Sequence, residues 1–387
     1  MSKQKKKKGK ALPIVAIIMA IAVVGTGAFA VTTFTGCSGE GGSPLSSEPE
    51  PIINPITGIE SETELFPRPV MVSVPNDTYG AVPQSNLTQA DIIYEFPVEG
   101  DLTRLQAVYL TERPDEFGPT RSVRYYFVDL AREYQAAHIG YGWGKHAHSY
   151  MYSSGLPYIN GMQETDLFYR NSKKSAPNNA YIKWENIEKY AEENGWWDKN
   201  TSKDLKPFKF RDDEWKAEIE EAKATVEKLQ GTEDPEEQKE LAKAEALVAE
   251  PQKASSVKVS SAGCNSECKY NEETGLYDRF WYGEPYVDLE TGKQLSFSNI
   301  LVQEVKSTIM YDPETGEADA KNRLEIDMNS SGEAYLFTNG EVVKGTWSKK
   351  SAEARTIFKD EAGNQFRMTP GKTWVYVIDQ NKKFEFE

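Results

Sequence analysis

The densest set of residues able to do chemistry lies between Asn76 and Asp129. Asp91, Glu95 and Glu99 bring three carboxylates close together in sequence, and Arg104, Arg121 and Arg124 follow them. Two carboxylates flanking a glycosidic bond can divide into acid and base, which makes Glu95 with Glu99 or Asp91 a candidate pair for glycan cleavage. The arginines point to different chemistry. Gly118-Pro119-Thr120 reads as a turn with Thr120 as a helix cap, so Arg121 and Arg124 are expected on one face of the first turns, beside free backbone N–H groups. Guanidinium forks at the positive end of a helix make a receptor for a carboxylate or a phosphate. The bland alternative is that these arginines pair with Asp91, Glu95 or Glu99 and serve architecture alone.

His138, His146 and His148 are the only histidines and cluster around Gly140-Tyr141-Gly142-Trp143-Gly144. His146-Ala147-His148 on a strand would project both rings to one face, where a divalent metal could bind. No carboxylate partner is near in sequence, and the glycine-aromatic run reads instead as a loop against a pocket. Ser-His-Asp order, a Cys nucleophile with a nearby His, a Gly-rich phosphate loop and an HExxH run do not occur, so hydrolases of those types are disfavoured and no metal or cofactor is expected. Cys264 and Cys268 sit in a Gly/Ser/Asn-rich stretch where, in an oxidising compartment, they would close a small disulfide loop. A metal there would need two further ligands, and every histidine lies far away in sequence.

The elements that must position these groups follow from periodicity. From 68 to about 209 the pattern is mixed α/β, with strands expected at 69–74, 91–95 and 104–110 and helices at 122–137 and 184–194. From 212 to 250 the composition turns to Ala, Glu and Lys. Trp215, Ile219, Ala222, Val226 and Leu229 step at helical spacing, and Asp234-Pro235-Glu236-Glu237 reads as a cap, a first-turn proline and acidic first-turn residues. An antiparallel helical hairpin is expected there, two helices packed mainly on each other and projecting from the body. From 256 onward nearly every segment reads as a strand, with Asn339-Gly340 as a hairpin turn. The expected fold class is α+β, with an α/β domain over 56–211, the hairpin over 212–254 and an antiparallel β domain over 255–387.

The N-terminus reads as an export signal. Lys3 to Lys10 form a basic block, 11–34 are uncharged and mostly apolar, and Thr35-Gly36-Cys37 ends the run. Basic, apolar, small residue and Cys is the order of a bacterial lipoprotein signal over 1–36, with Cys37 receiving a lipid. An uncleaved anchor is the competing reading, since 24 residues at about 1.5 Å each span the hydrocarbon core. Either places the rest on the extracytoplasmic face of the membrane. Residues 37–55, rich in Ser, Gly, Glu and Pro, read as a tether. The 387 residues carry 45 basic and 60 acidic side chains, a net charge of −15, and loss of the six-lysine block would leave 39 − 60 = −21. Such a body repels nucleic-acid phosphates. A hydrophobic fraction of 39% and a mean hydropathy of −0.62 exclude a polytopic membrane protein.

Asn54-Pro55-Ile56-Thr57-Gly58, the stretch from Pro83-Gln84-Ser85 to Glu95, Glu99-Gly100 with Thr103-Arg104, and Gly118-Pro119 with Arg121-Ser122-Val123-Arg124 resemble the bacterial YerB-like lipoproteins, a family defined by a domain of unknown function. Phe168-Tyr169-Arg170 with 176–181 fits the later part of that domain, and Trp347 with 370–374 resembles the family's C-terminal domain. The resemblance covers roughly 52–210 and 255–380; the helical hairpin departs from it. It implies an exported, lipid-anchored envelope protein and no established reaction. The leading expectation is a non-catalytic module that binds an anionic ligand or cell-wall component through Arg104, Arg121 and Arg124. A cell-wall glycan hydrolase using Glu95 and Glu99, and a scaffold engaging envelope proteins through its β domain or helical arm, are the alternatives.

Overall fold

A computed structural model describes residues 51–261, 264–311 and 315–387. The leader, Cys37 and the tether up to residue 50 lie outside the described residues. Strands β1 (Val70–Asn76), β2 (Ile92–Val98) and β3 (Leu102–Tyr109) form an antiparallel meander in which β3 lies between the other two. All seven residues of β1 are buried, which explains its nearly unbroken apolar run: a strand covered on both faces has no polar side to alternate with. Ala137–Gly140 and Tyr158–Asn160 extend this sheet beyond β1, both in parallel register.

The other edge of β2 is taken by a strand from the far end of the chain. Thr373–Asp379 runs parallel to β2, with Ile93 opposite Trp374 and Glu95 opposite Tyr376, and parallel to Asn299–Val305 on its other side. Ser331–Thr338 and Glu341–Ser348 continue outward as the hairpin turned by Asn339-Gly340. One eleven-stranded sheet therefore crosses both halves of the sequence. Helix α1 (Tyr125–Tyr134) covers one face, where Tyr126 and Phe127 pack on Phe96, and α2 (Lys145–Ser154) lies next to it. A six-stranded antiparallel sheet built on Ser256–Ser261, Cys264–Asn271 and Leu276–Trp281 covers the opposite face. The α+β class expected from the sequence is what this architecture is.

Several expectations change. The α/β domain of 56–211 and the β domain of 255–387 do not stand apart: Glu50–Glu387 is one compact unit, because Thr373–Asp379 is a central strand for both. The tether ends before residue 55. Asn54 is buried, and its amide donates to Asp91 Oδ1 at 2.7 Å while its own oxygen accepts from Ile56 N at 2.8 Å. The Cys264–Cys268 disulfide is not formed. Both residues lie on one extended strand, four positions apart, so about 13 Å separates their Cα atoms, roughly twice what a disulfide spans. Cys268 is a free, fully buried thiol 3.4 Å from the Tyr376 hydroxyl, and burial pushes it up to about 11.

Helix α3 (Trp184–Glu193) and the helical hairpin appear as expected. In the hairpin, α4 (Asp213–Leu229) is capped by Asp212, and α5 (Pro235–Val248) by Asp234, which accepts from Glu236 N and Glu237 N. The two helices pack on each other but are also fastened to the body, by Arg367–Glu218 and by Asn364 donating to the Lys243 carbonyl, and Arg211, just before α4, pairs with Glu341 at 3.2 Å. Among the described residues no helix is long and apolar enough to cross a membrane.

A shared central strand ties the stability of both halves together. Denaturant unfolding followed by tryptophan fluorescence and by far-ultraviolet circular dichroism should give one coincident transition. Two separated transitions would mean that the halves fold independently.

Candidate functional site

The turn between β2 and β3 has Gly100 at φ +75° and Asp101 at φ +53°. Glu95 points to the face covered by the second sheet. Its Oε1 accepts from Asn76 Nδ2 and Thr103 Oγ1, both at 2.7 Å, and its Oε2 accepts from Arg279 Nη2 at 2.8 Å. Arg279 is fully buried, its guanidinium 3.9 Å from the Trp374 ring centre, 4.3 Å from that of Tyr286 and 5.5 Å from that of Trp281. Three aromatic faces offset part of the loss of hydration that such a charge suffers.

Glu99 receives Arg124 in a two-pronged bond through Nε, at 3.0 Å, and Nη2. Burial alone would raise its carboxyl, but the Arg124 hydrogen bonds and charge outweigh it and hold Glu99 below the usual carboxylate range. Asp91 accepts from Asn54, Leu110 N and Thr111, and burial nevertheless raises it. The three candidate carboxylates thus have architectural partners. A glycosidase acid must hold a proton near neutral pH and reach the leaving oxygen. Glu99 is shifted the wrong way, Asp91 anchors the first turn of the fold, and Glu95, although it lines a cavity together with Glu99, is locked to Arg279.

The arginines also depart from expectation. Residues 118–124 run extended rather than helical because their backbone is already bonded: Thr120 N donates to Ala180 O, Arg121 N to Ser73 O, Tyr141 N to Arg121 O and Val123 N to Gly142 O. Thr120 is therefore no helix cap; α1 starts at Tyr125 with Arg124 at its N-cap. Arg104 and Arg124 converge, each donating through Nη1 to the Ser122 carbonyl, at 2.9 and 3.3 Å. Arg124 is spent on Glu99. Arg104 is buried and pairs with no carboxylate among the described residues; burial first, and then the Arg124 and Arg121 charges, pull it down to about 9 against the opposing pull of Glu99. Arg121 is the one of the three that opens onto a cavity.

That cavity is a cleft of about 690 Å³ between the extended 120–122 segment, the loop 141–144, the first turns of α2 and the 160–177 region. Among the described residues the Arg121 guanidinium has no hydrogen-bonded or ion-paired partner, and its Nε is a buried donor without an acceptor. Arg170, across the cleft, lies 4.5 Å over the Tyr141 ring and bonds only to Asn179 Oδ1, at 3.0 Å. Trp143, His148 and Asn160 complete the lining. The loop reaches this position through its glycines. Gly142 sits at φ +90°, and a Cβ on Gly140 would lie 2.5 Å from the Val123 side chain. The glycine-aromatic run is thus a loop against a pocket, as its composition indicates.

The histidines do not form a metal face. His138 is on the Ala137–Gly140 strand, fully buried, with Nε2 2.9 Å from Gln106 Oε1, and burial pulls it down to about 3. His146 and His148 belong to α2, where two positions apart means opposite sides of the helix. His148 faces Tyr158, 3.3 Å from its hydroxyl.

Sequence reasoning missed Arg170 and Arg279. For Arg279 the signal was present: in Leu276–Trp281 the buried positions are Tyr277, Arg279 and Trp281, so period-two alternation puts a lone cation in phase with two aromatics. For Arg170 there was no local signal, since only the fold carries it opposite Arg121.

Residues 56–197 match the family described as "Protein of unknown function (DUF3048) N-terminal domain", and residues 256–375 match the corresponding C-terminal domain. The hairpin helices lie between the two matches. A Bacillus subtilis (strain 168) protein described as "Putative lipoprotein YerB" is 27% identical over 330 residues, covering 84% of this chain and 85% of that one. The crystal structure of YerB protein from Bacillus subtilis superposes with a TM-score of 0.67 at 26% identity, over 87% of this chain and 99% of that one.

Two measurements follow from these geometries. Glu95→Gln leaves Arg279 as an uncompensated buried charge and should cost about 3–5 kcal/mol of unfolding free energy; an unchanged denaturation midpoint would remove the pair from this role. For His138, an unfolded ring takes a proton near pH 6.5 and the buried ring only near about 3. The unfolded state binds more protons in between, so this contribution to stability is complete above pH 6.5 and falls by up to about 1.4 kcal/mol per pH unit on acidification. His138→Gln should flatten that part of the stability profile, and identical slopes in both proteins would contradict it.

Proposed function

Because the chain belongs to the DUF3048 family and has a relative described as a lipoprotein, we propose that it is a non-catalytic binding module held at the extracytoplasmic membrane surface through a lipid on Cys37. Its ligand is an anionic component of the envelope, such as a cell-wall fragment, and the site is the Arg121–Arg170 cleft. The observation that carries this reading is the state of Arg121: a guanidinium on the wall of a cleft with no protein acceptor, in a chain whose net charge is −15. A carboxylate or phosphate oxygen would supply the missing acceptor.

The surroundings support an anion. Arg170 adds a second charge to the cleft lining, and Arg104 and Arg124 add positive potential near Arg121, which Glu99 and the nearby Asp77 partly offset. The N-terminus of α2 at Gly144 has no side-chain cap and borders the same space. Tyr141 and Trp143 offer aromatic surface on which a sugar ring can rest. The cleft volume is in the range of small-ligand sites, about 300–1,000 Å³.

The test is capture of the full-length protein by purified cell-wall fragments, comparing wild type with Arg121→Ala and Arg170→Ala. Loss of a charge-assisted hydrogen bond should weaken capture about tenfold or more for Arg121→Ala, and added salt should weaken the wild type. Arg124→Ala should instead lower thermal stability, since it strands Glu99. Equal capture by wild type and both cleft variants would refute the site.

A further inference from the structure

A second cavity, of about 380 Å³, lies apart from the arginine cleft, at the far end of the central parallel strands. β2, Thr373–Asp379 and Asn299–Val305 all run in the same direction, and the cavity opens just beyond their carboxyl ends. Its walls include residues that follow each strand, Glu99 to Asp101 after β2, Ser307 and Ile309 after Val305 and Lys382 after Asp379, together with the last residues of β2 and of Thr373–Asp379 and with Val259 of the second sheet. In open α/β sheets, ligands bind in the crevice past the carboxyl ends of the strands, where the connections switch direction; the three parallel strands here have a crevice in the same place, inside a sheet whose next neighbours are antiparallel. Here the switch is the point at which the last long strand enters between the two halves of the sequence, so neither half makes the cavity alone.

The lining has a definite chemistry. Pro97, Val98, Val259, Leu324 and Val377 provide an apolar body. Of the four lining carboxylates among the described residues, Glu95 and Glu99 are neutralised by Arg279 and Arg124 behind the wall. Asp379 is held by Ser307 and by Asn381 N, bonds that keep its carboxyl below the usual range although burial opposes them. Asp101 is exposed at the rim and forms no ion pair among the described residues. Against these two stands a single lining cation among the described residues, Lys382.

We propose that this cavity is a binding site for a small, mostly apolar molecule that carries an amine. The apolar body would fill the space between the β2 end and Leu324, and the ammonium would meet Asp101 and Asp379. The site does not rest on the arginine cleft, which calls for the opposite charge.

The probes are 4-fluorobenzylamine and 4-fluorobenzoate, followed by fluorine NMR line broadening with the full-length protein in lipid nanodiscs. The variants are Leu324→Trp, which fills the cavity, and Asp101→Asn, which removes the rim charge at an exposed turn that Asn tolerates. Broadening of the amine that Leu324→Trp abolishes, with an affinity weakened about two- to fivefold by Asp101→Asn, is the expected result for a screened charge lining an apolar site. Equal binding of the benzoate, or amine broadening unaffected by both variants, would overturn the proposal.

Discussion

The Glu95 carboxylate and the Arg279 guanidinium meet where water reaches neither, and much of the structure exists to make that contact tolerable. Withdrawing two charges from water costs several kcal/mol each, and their attraction repays it only if the remaining hydrogen-bonding positions are filled. Asn76 and Thr103 fill them on the carboxylate side, and the faces of Trp374, Tyr286 and Trp281 enclose the cation. These groups come from β1, β2 and β3 in the first half of the chain and from the second sheet and the last long strand in the second. A slip of one residue in either half would turn a charge into an apolar layer, so the pair sets the register in which the halves join. Lys349 with Glu133, equally buried at 2.7 Å, does the same between α1 and the C-terminal sheet.

Joining the halves this way determines where binding can occur. The second sheet and α1 cover the two faces of the large sheet and leave open its margins. One opening follows the carboxyl ends of the parallel strands, and the other lies beside Arg121, where the 118–124 segment uses its backbone on β1 and on the 141–142 loop. The carboxylates and arginines that sequence proximity groups together are then divided among three tasks. Asp91, Glu95, Glu99 and Arg124 hold the fold, Arg104 raises the local potential, and Arg121 faces a cleft.

Local patterns were read well wherever a local cause was sufficient. The hairpin helices were legible because Asp212, Asp234 and Pro235 are caps whose effect needs only their own backbone neighbours. The turn at Asn339-Gly340 and the pocket-facing loop at 140–144 were legible for the same reason. Thr120 misled because a threonine after Gly-Pro looks like a cap, whereas its N–H and hydroxyl both bond to the distant Ala180 carbonyl. The cysteine pair misled because proximity in sequence is not proximity on a strand, where four residues span about 13 Å.

What the sequence by itself determined is the α+β class, the helical hairpin and the strand-rich second half, the expectation of an exported and anchored chain, and the presence of an arginine set within an acidic protein. These follow from periodicity, caps and composition, which act over a few residues at a time. Only the tertiary structure decided that two apparent domains share one sheet, that Arg279 rather than Arg121 answers Glu95, and that Arg170 stands across from Arg121. Each of those depends on strand pairing between segments more than a hundred residues apart in some cases, and no local propensity carries that information.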